Sequence, residues 1–241
     1  MSQPSLLPET HWSVIHRLGA EDTASRNRAL EEVCRVYWQP LYALARAWNR
    51  TPHDAEDLTQ SFFESLCARG ALGRASPDRG RFRSLLVAAF RNHLTDTVRR
   101  EQSQRRGGNT ESISISVPVD LADAEARFQR ALAVEPDHSR LFDRSWALAV
   151  LDRAMGLCRI DWAKRGREAE FDALEPVLTP QTEGPSYADL GAKLGLTEDA
   201  VATKVKRLRA AIGERLRETV ADTVYHPDEI REELTYLVSL L

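Results

Sequence analysis

The sequence predicts an all-α protein: two helical domains joined by an extended linker, the second containing a helix-turn-helix. Three observations predict it. Apolar residues recur at three- and four-residue intervals through most of the 241-residue chain, the period of helices buried on one face. Strict alternation occurs only in Ser112-Ile-Ser-Ile-Ser-Val117, with no partner strand in view. Pro and Gly gather at a few places that punctuate the helical stretches. A chain of this length can bury two small cores.

Taken in order, residues 1–10 form a lead with Pro4 and Pro8. Thr10-His-Trp-Ser-Val-Ile15 begins a short helix in which Trp12 and Ile15 plug the first domain. A longer helix runs from about Ala24 to Arg50, with Leu30, Val33, Cys34, Tyr37, Trp38, Leu41, Leu44, Ala45 and Trp48 at helical spacing. Pro40 lies inside this pattern and should kink the helix or split it in two. The aromatics sit at core positions and do not read as a base-stacking platform.

The next helix opens with Thr51 as N-cap, Pro52 at the first helical position and Asp54 three residues after the cap. Ala55, Leu58, Phe62 and Leu66 make its buried stripe, which leaves Asp54, Asp57, Ser61 and Glu64 on the wet face. The helix after it packs Phe82, Leu85, Leu86, Ala89 and Phe90, with Arg83, Arg91 and Asn92 at the other positions. Its segment ends in Arg99, Arg100, Arg105 and Arg106. An acidic face and an arginine face on adjacent helices suit two different partners, the second a nucleic acid.

Gly107-Gly108-Asn109-Thr110 breaks the pattern, and residues to about Pro118 read as an extended linker. Asp120 to Leu132 forms a short helix ended by Pro136. From Ser139, Ala147, Leu151, Ala154 and Cys158 form one stripe, with Trp146, Val150 and Leu157 beside it, as in a helix buried on more than one side. Arg165-Gly166-Arg167 breaks that helix, and Glu168 to Leu174 makes another, ended by Pro176 and Pro180. Ser186 caps a short helix carrying Leu190 and Leu194. Gly195 supplies the turn, and Thr197 caps a second helix with Glu198 and Asp199 in its first turn. Val201, Val205, Leu208 and Ile212 face the core, with Thr203, Lys206 and Arg207 on the far side and Lys204 and Arg209 flanking. This is the pattern of a helix-turn-helix. His226-Pro227 opens a tail helix with apolar Ile230, Leu234, Leu237, Val238 and Leu241, and with Asp228, Glu229, Glu232 and Glu233 around its start. Such a short helix needs something to pack against. It either completes the second domain's core or docks on the first domain as a latch.

The net charge is −3, so the basic and acidic blocks matter more than the total. Three cysteines, far apart and without a Cys-x-x-Cys pair, suggest neither a metal site nor a disulfide framework. They read as buried thiols of a reducing cytoplasm. No signal pattern opens the chain and no apolar run suggests membrane insertion. There is no phosphate loop, Ser-His-Asp set or glycine-rich cradle, so no enzyme, cofactor or metal is expected. His53-Asp54 spells the two-residue core of an HD-type metal phosphohydrolase, a fold that needs further His and Asp ligands.

Asp54-Ala-Glu-Asp-Leu-Thr-Gln60 resembles the DAEDLxQ signature of bacterial RNA polymerase sigma factors, and Phe82-Arg-Ser-Leu-Leu with Arg91-Asn92 and Asp96 resembles the FRxWL…ARNxxxD pattern of the following helix. Leu85 stands where the tryptophan is usual. The second helix of the helix-turn-helix is similar to the SxGTVKSRxxRAR style, with Asp199 and Ala200 for Gly-Thr and Ala202 for Lys. The resemblance is to the small extracytoplasmic-function (ECF) group, within it to a subgroup with a Trp-Ser start and an acidic tail. It covers most of the chain except the first ten residues, an elaborated 139–180 segment and the tail.

The resemblance implies a transcription initiation factor that reads minus-ten and minus-thirty-five promoter elements. It implies residues 1–106 as the domain for core RNA polymerase and the minus-ten element, 107–138 as the linker, 139–225 as the helix-turn-helix domain and 226–241 as the tail. It assigns Asp54, Glu56, Asp57, Gln60 and Glu64 to core polymerase. The minus-ten set is Asp78, Arg79, Arg81, Arg83, Arg91, Asn92, Arg99 and Arg100, and the minus-thirty-five set is Thr203, Lys204, Lys206, Arg207 and Arg209. Promoter DNA and core polymerase are the implied partners, with an anti-sigma factor or a serine/threonine kinase as regulator. A stand-alone helix-turn-helix regulator would explain the second domain but not DAEDLTQ.

Overall fold

The structure, a computed structural model, describes residues 22–69, 82–104, 120–135, 137–178, 184–221, 223–224 and 227–241. Among them all regular structure is helical. The elements are α1 (Thr23–Ala47), α2 (Pro52–Arg69), α3 (Phe82–Gln104), α4 (Leu121–Val134), α5 (His138–Lys164), α6 (Glu168–Leu174), a 3₁₀ turn (Glu175–Val177), α7 (Tyr187–Leu194), α8 (Glu198–Ala221) and α9 (Glu229–Leu240). The expected lead helix at Trp12, the alternating Ser112–Val117 run and Pro136 lie outside the described residues.

The chain divides into two compact units, one of Met1–Ala149 with Val220–Leu241 and one of Val150–Thr219. This division falls elsewhere than the limits expected at 107–138, 139–225 and 226–241. The reason lies in side chains. Helix α4, inside the expected linker, is fastened to α1: Gln39 Nε2 donates to the Ala124 carbonyl at 3.0 Å, and Arg46 forks onto Glu125. The tail helix is fastened to α3 and the first turns of α5, so it joins the first unit.

In the first unit, α1 supplies the largest share of the core. Asp22 caps it, accepting from the Ala24 and Ser25 amides at 3.2 and 2.9 Å. The helix runs unbroken through Pro40, so the expected split does not occur. The buried face on both sides of Pro40, from Tyr37 to Leu44, holds the two halves in one helix; packing outweighs the lost hydrogen bond. Tyr37 meets Phe82 edge-on at 5.3 Å, and Phe62 meets Phe90 at 5.1 Å, which ties α1, α2 and α3 together. Ala55, Leu58, Phe62 and Leu66 are all buried, as the stripe predicts.

In the second unit, Cys158, Trp162, Phe171, Leu174, Leu190, Val201, Val205 and Leu208 form one core. Half of these come from α5 and α6, the segment read from sequence as an elaboration. It is therefore the wall against which α7 and α8 pack. Gly166, at φ +67°, turns the chain between α5 and α6. Ser186 and Asp189 form a full capping box on α7. Gly195 closes that helix in the left-handed conformation at φ +66°, and the Thr197 hydroxyl accepts from the Ala200 amide at 3.3 Å. A Cβ at Gly191 would stand 2.6 Å from the Leu196 carbonyl oxygen, so the turn between α7 and α8 depends on that glycine as well.

Candidate functional site

The acidic face on α2 begins at its cap. The Thr51 hydroxyl accepts from the Asp54 amide at 3.2 Å and donates to the Asp54 carboxylate at 2.7 Å. Asp54 is exposed but committed to its own helix start. Asp57 is exposed, and Glu56, Gln60 and Glu64 are half-buried beside it. His53 lies 3.7 Å from Glu56 and 3.8 Å from Asp57. Ser61, expected on the wet face, instead meets His93 of α3 at 3.0 Å. Among the described residues no three His, Cys, Asp or Glu side chains gather closely enough to hold a metal ion.

The basic face of α3 is narrower than its composition suggests. Arg91, Asn92, Thr95, Asp96, Arg99 and Arg100 are exposed and share one side of the helix. Arg99 approaches Asp96 at 3.9 Å, a loose pair of little weight in water. Asp78, Arg79 and Arg81 lie outside the described residues.

Arg83 does not join that face. It is 8% exposed. Its guanidinium sits over the Trp146 ring at 4.9 Å and the Tyr236 ring at 4.6 Å. It pairs with Glu233 of α9, and its Nε lies 3.5 Å from Asp143. The sequence expectation of an outward Arg83 is thus corrected. The position was legible: Leu86 and Phe90 follow Arg83 at three and seven residues, which places it beside the buried stripe. Charge alone argued for the outside, and the acids that override it come from far along the chain.

On α8, Thr203, Lys206 and Arg207 are exposed on the side away from Val201, Val205 and Leu208. Lys204 and Arg209 are held differently. Lys204 Nζ donates to Glu170 Oε1 at 2.7 Å. Glu170 also takes both arms of Arg167, at 2.9 Å each, while Arg167 stacks on Trp162 at 4.3 Å. These hydrogen bonds, chiefly from Arg167, hold the Glu170 carboxyl below its usual range. Arg209 Nη2 donates to the Val177 carbonyl at 3.2 Å. Both side chains therefore anchor α8 to the α6 region, and sequence reasoning missed Glu170, whose distance along the chain hides the pairing.

The two described surfaces are thus an acidic start on α2 beside a basic side of α3, and a polar side of α8 led by a capped turn. The family model for ECF sigma factors matches residues 23–218 and runs through the 139–180 segment that the sequence reading had set aside. No curated protein and no solved structure matches the chain. Among the described residues no helix is long and apolar enough to cross a membrane. With the matched stretch covering most of its length, the chain belongs to the ECF sigma factor family, non-enzymatic transcription initiation factors that partner with core RNA polymerase and promoter DNA.

Proposed function

We propose that the chain directs core RNA polymerase to promoters through three surfaces. The acidic face of α2, led by Asp57 with Glu56, Gln60 and Glu64, docks on core polymerase. The exposed side of α3, Arg91, Asn92, Arg99 and Arg100, engages the minus-ten element, together with Asp78, Arg79 and Arg81. Helices α7 and α8 act as a helix-turn-helix that places Thr203, Lys206 and Arg207 in the major groove of the minus-thirty-five element.

One observation carries this reading. Thr203, Lys206 and Arg207 stand exposed on the side of α8 opposite its buried stripe, on a helix that follows a capped, glycine-closed turn. Cations exposed on such a side are cheap to present to phosphate and base edges. Lys204 and Arg209 serve here as struts that fix the pitch of α8. The regulator is an anti-sigma factor or, following the Trp-Ser start and acidic tail, a serine/threonine kinase.

Transcription in vitro from a promoter library, with purified core polymerase and this chain, tests the reading. Selected promoters sharing two spaced elements support it. DNA binding that needs no polymerase, or phosphatase activity without transcription, overturns it.

A further inference from the structure

The tail helix α9 holds Arg83 by charge. Glu233 is only 2% exposed and pairs with the Arg83 guanidinium. Tyr236 places its ring on that guanidinium and donates its hydroxyl to Asp143 Oδ2 at 2.9 Å. At the far end of α9, Arg144 Nη1 donates to the Leu240 carbonyl at 2.6 Å. Leu237 and Leu240 are buried, while Val238 is 63% exposed. The buried face of the tail is therefore Glu233, Leu237 and Leu240, at i, i+4 and i+7. The sequence stripe of Ile230, Leu234, Leu237, Val238 and Leu241 is rotated from it. Arg83 favours this rotation, because it turns the Glu233 carboxylate and the Tyr236 ring onto the buried guanidinium.

Two further facts bear on what this contact is for. The family match ends at residue 218, before α9, whereas Arg83 lies well inside it. The contact thus joins a residue of the shared fold to a segment outside the match. Its chemistry also differs from that of a core: an ion pair buried this way adds little to stability over apolar packing, but fixes one geometry. A guanidinium held by Glu233, by Asp143 at 3.5 Å and by two rings is in the kind of anionic, stacked setting that phosphate and bases also offer.

We infer that α9 is an intramolecular inhibitor that occupies Arg83 with Glu233 and withholds it from promoter DNA. The inference rests on the reading of α3 as the minus-ten helix. In the free protein α9 sits on α3 and the start of α5. In the working complex α9 leaves, and DNA phosphate replaces the Glu233 carboxylate on Arg83.

The test compares the full chain with a chain lacking Pro227–Leu241, and with Glu233→Gln, in core-polymerase binding, in affinity of the holoenzyme for a fluorescent promoter fragment, and in transcription. The truncated chain should bind the fragment roughly fivefold or more tightly, the usual range of an intramolecular coupling. Glu233→Gln should gain part of this. A synthetic 227–241 peptide added in trans should reverse the gain, and the same peptide carrying Glu233→Gln should not. Arg83→Ala in the truncated chain should abolish the gain. Equal binding and equal transcription by full and truncated chains overturns the inhibitor and leaves the sigma reading intact. Absence of transcription from both overturns both. Should the truncated chain not fold, hydrogen exchange of the α9 amides decides on the full chain. Loss of protection on forming the polymerase–promoter complex supports the inhibitor, and unchanged protection overturns it.

Discussion

Glu125 of α4 receives both arms of the Arg46 fork from α1, at 2.8 and 2.7 Å, and a third hydrogen bond from the Tyr42 hydroxyl at 2.7 Å. One carboxylate thus fastens a helix expected in a linker to the largest helix of the first unit. The Arg46 hydrogen bonds, helped by those from Tyr42 and Gln129 and opposed by burial, hold its pKa down at about 2 against the usual 4.5.

A depressed folded-state pKa has a definite sign. The pair contributes its full stability above about pH 4.5 and loses it as pH falls toward 2, because the unfolded chain takes up the proton first. Glu125→Gln should lower stability at neutral pH by roughly 2 kcal/mol, the range for hydrogen bonds to a charged group. The gap between wild type and variant should close between pH 4.5 and 2. Denaturant unfolding at several pH values checks this; a gap independent of pH would show that the Glu125 charge is not what holds α4.

Asp57→Arg should weaken core-polymerase binding with a stability change within about 0.5 kcal/mol, since the side chain is exposed. Asp54→Ala should register in the melt instead, losing roughly 0.3–1 kcal/mol with the carboxylate that takes the Thr51 hydroxyl at the helix start. Co-elution with core polymerase, set beside thermal melts of both variants, separates the docking role from the capping role. Undiminished co-elution of Asp57→Arg would remove the acidic face as the docking face.

Arg207 and Lys204 are three residues apart and should part company. Arg207→Ala should reduce promoter affinity by roughly 1–3 kcal/mol if it meets a base, or weaken all sequences alike with a flatter salt dependence if it meets phosphate. Its melting temperature should not move. Lys204→Ala frees Glu170 from one partner and should register in the melt more than in base preference. Binding titrations across salt concentrations and promoter variants decide; no change for Arg207→Ala in either quantity would take it out of the interface.

Gly191→Ala should destabilise the second unit by about 1–3 kcal/mol, because the new Cβ meets a backbone oxygen and not a yielding side-chain tip. Gly195→Ala has open space around its Cβ and faces only the cost of a left-handed alanine, about 1 kcal/mol. Paired melts should rank the two in that order.

Local chemistry made much of this molecule legible in its sequence. The Ser186 cap, the Gly195 turn, the α2 stripe and the break at Gly166 depend on residues a few positions apart, and each stands where its pattern puts it. What stayed hidden depends on residues far apart. Arg83 and Glu233 are separated by 150 positions, Arg46 and Glu125 by 79, Lys204 and Glu170 by 34. A charged residue carries no periodic mark of which distant residue it will pair with, so these pairings went unread, and Arg83 was expected outward. The same limit hid the rotation of α9: of its two expected placements it takes the one on the first domain, but it turns Glu233 inward to meet an arginine where the apolar stripe alone would have turned Val238.

The cap at the start of α2 bears on how a short signature is weighed. Asp54 opens the seven-residue stretch through Gln60, and its carboxylate is already spoken for by Thr51. A helix start by itself favours an acid at that letter. Asp57 takes no part in that cap, and His53 approaches it only loosely at 3.8 Å. Among the letters of the stretch, the third acid is the one that the hydrogen bonds of the helix start do not already account for.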